Sequence, residues 1–366
     1  MKTHEELLWW LRLQSVKGVG SIKFNELIRV LGDPQKVFDS DDSVLAEIPK
    51  IDARIIQEIR SFKPVPGYAE EQLEKADKLR TDILTIDDPE YPENLKNFID
   101  APPILFVRGS LKSSDQRAVA IVGSRNATTY GKNTSSGMAR ELALAGITVV
   151  SGMARGIDSA AHQGALSAGG RTIAVLGCGV DIVYPAENKK LRDSIMENGA
   201  LISEYPIGER PLPAYFPNRN RIITGISLGV LAVEAREDSG VFSTVRWAAE
   251  QGREVFAVPG PITSATSVGP NQLIKQGAKI VLNVSDILEE LKLSGPDKMP
   301  PKETLPKIEL DGDEGSVFAG LADDPRHIDT IAETIKRSPA DTLRILFTLE
   351  MKGLIKQMPG KMFVRV

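Results

Sequence analysis

The chain has 366 residues, 42% of them hydrophobic and 26% charged, with a formal net charge of −4. This is the balance of a globular chain with room for two or three domains, and it excludes polyanion binding by overall charge: any nucleic-acid contact has to be concentrated in one basic groove. One cysteine, Cys178, and three scattered histidines, His4, His162 and His327, exclude an internal disulfide and suggest neither a metal centre nor a cofactor.

No apolar run reaches the roughly 18 residues of a membrane span. The start, MKTHEELLWW, carries acids where a signal peptide needs cations, so the protein is expected in the cytoplasm. Residues 1–62 read as helical. Leu7, Leu8, Leu11 and Leu13 open a helix, and Val16-Lys17-Gly18-Val19-Gly20-Ser21 leads into another through Phe24, Leu27, Ile28 and Leu31. This is a helix-hairpin-helix pattern, whose N–H groups can touch phosphate without sequence preference. Residues 45–59 look like a second copy without the glycines, and a pure packing role stays equally open. After breaks at Pro64, Pro66 and Gly67, a helix over 69–79 closes a helical domain at 1–80.

Strands at 83–86 and 104–107 then precede a regular alternation of strands and helices from 118 to about 292. The expected fold class is α/β, a doubly wound Rossmann-like sheet over 81–292, with strand 104–107 at or near an edge. Strand 118–122 stops at Gly123-Ser124-Arg125, and strand 147–150 runs into Ser151-Gly152 and Arg155-Gly156. Backbone N–H groups freed by such turns, with two arginines beside them, make a phosphate cradle at the C-terminal rim of the sheet. The dinucleotide fingerprint lacks its second glycine and its ribose-binding acid, which argues against an NAD enzyme.

A second cation cluster is Phe216-Pro217-Asn218-Arg219-Asn220-Arg221. With Asn218 as N-cap, Arg219 and Arg221 sit in a first helical turn and oppose the helix dipole at a cost of about 0.3–1 kcal/mol each. A bound anion would offset that cost, as would pairing with Glu204, Glu209 or Glu234. Lys189 and Lys190 could extend the basic track. Asp158 and His162 at i, i+4 read as a side-chain pair rather than catalytic machinery, since no nucleophile elbow accompanies them. Cys178 reads as a small residue in a tight turn.

Residues 293–315 are Pro-rich, charged and aperiodic, a linker. From 316 to 366, three helices and a hairpin around Pro359-Gly360 form a winged-helix pattern, with Ser338 capping a helix over 339–351 whose inner face is expected to hold Leu343, Ile345, Leu346 and Leu349. Arg344 is nearly alone as a cation on that third helix, so protein contact or packing fits better than duplex binding.

At GSRNATTYG (123–131), SGMARGIDSAAH (151–162), LGCGVDIVYPAEN (176–188), SEYPIG (203–208), FPNRNRII (216–223) and AVPGPITSATSVGPNQLIKQGA (257–278), the sequence resembles the DNA-processing protein A family (DprA, also called Smf). YPENLKNFIDAPPILFVRG (91–109) fits as well, and SGVFST at 239–244 departs from that family's usual SGSLIT-type stretch. The resemblance implies a non-enzymatic protein of natural transformation. Such a protein would bind and protect incoming single-stranded DNA, help load the RecA recombinase, and form a homodimer through the Rossmann-like domain. Carried over by motif, the phosphate contacts would be Gly123, Ser124, Arg125, Ser151, Gly152, Arg155, Asn188, Asn218, Arg219 and Arg221. Phe216 and Tyr184 are the candidates for base stacking. The alternative is a nucleotide enzyme of the phosphoribohydrolase-like Rossmann group, whose PGGxGTxxE turn is not reproduced in EAREDSGVFSTVRWAAE (234–250).

Overall fold

The computed structural model describes residues 2–65, 67–293, 312–321, 325–352 and 354–365. It opens with helices α1 (His4–Gln14), α2 (Ser21–Leu31), α3 (Pro34–Asp39), α4 (Asp42–Ala46), α5 (Ala53–Ser61) and α6 (Tyr68–Leu79). The hairpins α1–α2 and α4–α5 are two copies of one turn. The Val19 N–H donates to Val16 O at 3.1 Å, and the Ile51 N–H donates to Ile48 O at 3.2 Å. All four side chains are buried. Gly18 takes the left-handed conformation (φ 82°), and Lys50 is forced into it at the equivalent place (φ 68°). The copies differ at the following helix. Gly20 leaves the start of α2 without a side-chain cap, whereas the Asp52 carboxylate accepts from the Ile55 N–H at 2.9 Å and covers the start of α5. A carboxylate therefore stands where a phosphate would have to sit, and the second hairpin is a packing element.

The sheet follows with β1 (Asp82–Thr85), α7 (Glu93–Lys96), β2 (Ile104–Gly109), β3 (Ala118–Val122), α8 (Thr129–Leu144), β4 (Thr148–Ser151), α9 (Ile157–Ser167), β5 (Thr172–Val175), α10 (Lys189–Asn198) and β6 (Gly199–Ser203). It ends with α11 (Tyr215–Ile226), β7 (Gly229–Ala232), α12 (Val241–Glu250), β8 (Glu254–Ala257), α13 (Val268–Lys275), β9 (Lys279–Ile280) and α14 (Val284–Glu290). The strand order is β1-β2-β6-β5-β4-β3-β7-β8-β9. β6 through β9 run parallel, and β1 and β2 join antiparallel at one end. Winding goes outward from β3 to β6, then returns to β7 on the other side of β3, so the switch point lies between the C-terminal ends of β3 and β7. Continuous apolar strands such as Ala118–Val122 are buried on both faces, as a doubly wound sheet requires.

The start of α11 differs from the sequence expectation. α11 starts at Tyr215, four residues before Arg219, because Pro217 is tolerated at the third helical position, where its missing N–H would have no intrahelical acceptor. α12 starts at Val241, just inside the SGVFST stretch.

The chain divides into two compact units: residues 1–127 with 135–295, and 128–134 with 296–366. The N-terminal helices thus belong with the sheet. Their core, around Trp10, Leu11, Phe24 and Ile55, is continuous with Ile83, Ile104 and Phe106 of β1 and β2. Gln72 of α6 fastens the same junction, donating to Ile207 O at 3.2 Å and accepting from the Ile207 N–H at 2.9 Å.

Most of the linker expected at 293–315 lies outside the described residues, and α15 (Gly312–Gly320) already begins within its last part. With β10 (Arg326–His327), α16 (Ile328–Ile335), α17 (Pro339–Met351), β11 (Ile355–Met358) and β12 (Met362–Arg365) it forms a winged helix around Val317, Ile331, Leu346 and Phe363. Ser338 caps α17, its hydroxyl accepting from the Asp341 N–H at 3.1 Å. Leu343, expected inside, is 45% exposed. The inner face is instead Thr342, Ile345, Leu346 and Leu349. Among the described residues, no helix is long and apolar enough to cross a membrane.

The hairpin comparison predicts that Lys50→Gly stabilises the protein by about 0.5–1 kcal/mol, because glycine enters the left-handed region without the Cβ penalty. Urea unfolding should show a raised midpoint with unchanged slope; a lowered midpoint would contradict it.

Candidate functional site

The switch point opens into a cavity of about 530 Å³. Its walls are the turn after β3 (Gly123, Ser124, Arg125, Asn126), one face of α11 (Phe216, Arg219, Asn220, Ile223) and the segment leading into α12 (Arg236, Asp238, Ser239, Gly240, Ser243, Thr244). Positions 216, 219, 220 and 223 fall on one side of a helix and share the cavity, with Pro217 of the first turn beside them. Arg221, two residues on from Arg219, projects the other way.

Arg219 forms the floor. It is 4% exposed, and its guanidinium donates to Gly152 O at 3.0 Å and to Val175 O. No carboxylate among the described residues lies in ion-pair contact with it, and its Nε is buried without a partner. Burial pushes its pKa down while the nearby Asp158 charge raises it. A Cβ at position 152 would sit 2.5 Å from an Arg219 nitrogen, so glycine is required there for the arginine to enter. The floor is a desolvated cation without a matching anion in contact.

At the mouth, Arg125 is exposed and stacks over Phe216 at 5.4 Å, and Phe216 in turn packs against half-exposed Tyr184 at 5.3 Å. The Ser124 N–H donates to Glu234 O at 2.7 Å, which ties the β3 turn to the end of β7. The Ile157 N–H donates to Ser124 O at 3.2 Å, joining the two glycine turns. Arg236 adds an exposed cation on the far wall.

Of the remaining residues singled out in the sequence, Arg221, Ser151, Gly152 and Asn188 have structural work. Arg221 is buried and gives a bidentate pair to Glu204 (3.1 and 2.6 Å), with Asp100 at 3.5 Å. It is not available to a phosphate, which corrects the expectation. Burial pushes the Glu204 carboxyl up, and Arg221 draws it back. Ser151 is buried and donates to Ile121 O at 2.7 Å. The Gly152 N–H is taken by Asp158 Oδ2 at 3.1 Å. Asn188 is buried and staples the second turn through Met153 O (2.8 Å) and Ser159 Oγ (2.9 Å). These three groups therefore build the rim rather than present themselves at it. Asn218 is exposed on α11 outside the cavity wall. Arg155 is exposed and pairs with exposed Glu187, a contact that an incoming anion can displace.

Asp158 and His162 form no hydrogen bond or ion pair with each other; each is bonded elsewhere. The Asp158 carboxylate accepts from Gly152 and Ala154 N–H; burial raises its pKa, and Arg219 opposes the rise. His162 Nδ1 lies 2.7 Å from Thr172 Oγ1, whose hydroxyl donates to Val149 O, so Nδ1 carries the proton. Burial holds the imidazole pKa down at about 3. Burial also pushes the Cys178 thiol up to about 11. Arg236, Asp238, Ser243 and Thr244 escape sequence reasoning. Their membership depends on β7 lying beside β3, and strand order has no local sequence signal.

Sequence and structure comparisons bear on the whole chain. The family model described as DNA recombination-mediator protein A matches residues 82–292, and that of the DprA winged helix domain matches 300–361. Protein Smf of Escherichia coli (strain K12) is 35% identical, covering 96% of this chain and 94% of its own. The X-ray structure of DNA processing protein A from Streptococcus pneumoniae superposes with a TM-score of 0.67 at 33% identity, over 79% of this chain and 99% of that one. DNA processing protein A from Helicobacter pylori, solved for its single-stranded DNA binding mode, gives 0.52 at 30% identity, over 59% and 97%.

Two outcomes follow from the buried charges. Arg221→Met should cost about 3–5 kcal/mol by stranding the Glu204 charge, and adding Glu204→Gln should restore most of it. Denaturant unfolding of the two proteins decides this, and equal losses in both would contradict the pairing. His162 is neutral when folded, and its unfolded pKa of 6.5 lies far above the folded one near 3. The unfolded chain therefore takes the proton first. The stability this contributes is complete above pH 6.5 and is lost toward pH 3, at about 1.4 kcal/mol per pH unit. His162→Gln should flatten that part of the pH–stability curve.

Proposed function

The chain belongs to the DNA recombination-mediator protein A family, and from that premise we propose that it binds single-stranded DNA at the switch-point cavity without catalysing a reaction. It protects the incoming strand and delivers it to the RecA recombinase during natural transformation, working in the cytoplasm. The observation that carries this reading is Arg219, a desolvated guanidinium at the cavity floor with no carboxylate of the described residues in contact. Nearby Asp158 offsets only part of the cost of burying this cation, and a strand phosphate would offset the rest. Arg125, Arg236 and Arg155 draw the backbone in, with Gly123 and Ser124 shaping the turn beneath it. Phe216 and Tyr184 offer the rings on which bases stack.

A binding role also accounts for α9. Its acid and histidine are each occupied by structural hydrogen bonds, so neither is poised as a base or nucleophile. We place the homodimer contact at the β9 edge of the sheet. Among the described residues β9 pairs only with β8, and Ile280 and Leu282 are 44% and 69% exposed there. An open apolar strand edge invites a second copy.

Fluorescence anisotropy with a labelled oligo-dT tests the reading. Affinity should fall steeply with salt, and Arg125→Ala should cost about 1–3 kcal/mol through loss of a charge-assisted contact. The Arg221→Met/Glu204→Gln protein should bind like wild type. Unchanged affinity in Arg125→Ala, or release of base from nucleoside monophosphates, would overturn it.

A further inference from the structure

Leu343, Phe347 and Met351 of α17 are 45%, 63% and 75% exposed. Spaced at i, i+4 and i+8, they form one stripe on the side opposite the inner face. The winged-helix core closes without them. Hairpin β11–β12 lies alongside, with the Gln357 N–H donating to Glu350 Oε1 at 2.9 Å, so the stripe has a wall on one flank.

We infer that this face of α17 is a docking site for an amphipathic, acidic helix of a partner protein. Three observations select that occupant. α17 is the third helix of the winged helix, the one that would enter a major groove. Base edges there present donors and acceptors, with the thymine methyl as the apolar exception, so Phe347 and Met351 would be stranded against polar groups. The charges around the stripe are also unequal. Arg344 on α17 and Lys356 on the adjoining strand β11 are exposed and form no ion pair among the described residues; the one acid whose charge is felt by Arg344, Asp313, is itself paired with Arg337. The two α17 acids are already engaged, Asp341 by the Ser338 hydroxyl at 2.5 Å and Glu350 by the hairpin N–H. A second copy of this chain would bring the same cations against these. A helix carrying apolar residues at i, i+3/i+4 and i+7, with carboxylates on its flanks, satisfies both the stripe and the cations. This inference does not rest on the cavity.

The test uses the full chain and a labelled synthetic amphipathic helix with leucines at those spacings and glutamates on its flanks, beside the same peptide with lysines for glutamates. The glutamate peptide should bind, and Phe347→Ala or Met351→Ala should weaken it about tenfold or more, as loss of an apolar anchor does. Arg344→Glu should weaken the glutamate peptide and improve binding of the lysine peptide. These side chains are exposed, so the variants should keep the wild-type unfolding midpoint. Equal binding of both peptides, or no response to Phe347→Ala, would overturn the inference. So would loss of duplex-DNA binding in Phe347→Ala, which would assign the face to nucleic acid, or loss of self-association, which would assign it to a second copy.

Discussion

The site depends on one buried guanidinium. Arg219 reaches from α11 over the C-terminal ends of β4 and β5, where two backbone carbonyls, Gly152 O and Val175 O, hold it. No side chain of the described residues neutralises it by contact. Nearly everything around it reads as provision for that placement. Gly152 leaves room for the guanidinium, and Asp158 turns to the backbone N–H groups of the second turn. Carbonyls can orient a cation but cannot cancel its charge, and the Asp158 carboxylate, outside ion-pair contact, offsets only part of the cost of burial. In a low-dielectric crevice that difference is large. The neighbouring arginines are set differently, exposed at the mouth where they attract an anion without having been desolvated. In the proposed function, capture at the rim and commitment at the floor fall to residues of one type in two environments.

The contrast with Arg221 shows how much helix geometry decides. The two arginines are two positions apart, and in an α-helix that turns them to different sides. Arg221 meets Glu204, Asp100 and, at 3.4 Å, Ser21 at the start of α2. It helps hold the N-terminal helices to the sheet. Read along the chain, FPNRNRII looks like one basic cluster; in three dimensions it is one cation lining the cavity and one structural cation. The N-terminal hairpins divide similarly, since Asp52 closes off the second while Gly20 leaves the first open.

The alternation of apolar strands and helices from 118 onward is legible in the sequence because the central strands β3 to β7 are buried throughout and run into a glycine or an acid, whereas edge strand β9 is exposed and does neither. The winged helix is legible from Ser338 and from the turn at Pro359-Gly360. Strand order is not. Nothing local tells β7 to lie beside β3, so Arg236 and the start of α12 are invisible as cavity wall. Asn188 passes for a ligand contact because a buried asparagine satisfying Met153 O and a surface asparagine look alike in sequence. Leu343 passes for a core residue because Leu343, Ile345, Leu346 and Leu349 are compatible with two different helix faces, and the packing of α15 and α16 chooses between them.

The most direct measurement is the arginine Nε–H spectrum of the 15N-arginine-labelled protein, followed as oligo-dT is added. The account predicts that the Arg219 and Arg125 signals shift together with saturation of binding, while the Arg221 signal stays in place. An Arg219 signal that does not respond, or a response confined to Arg221, would contradict the claim that the buried guanidinium receives the strand.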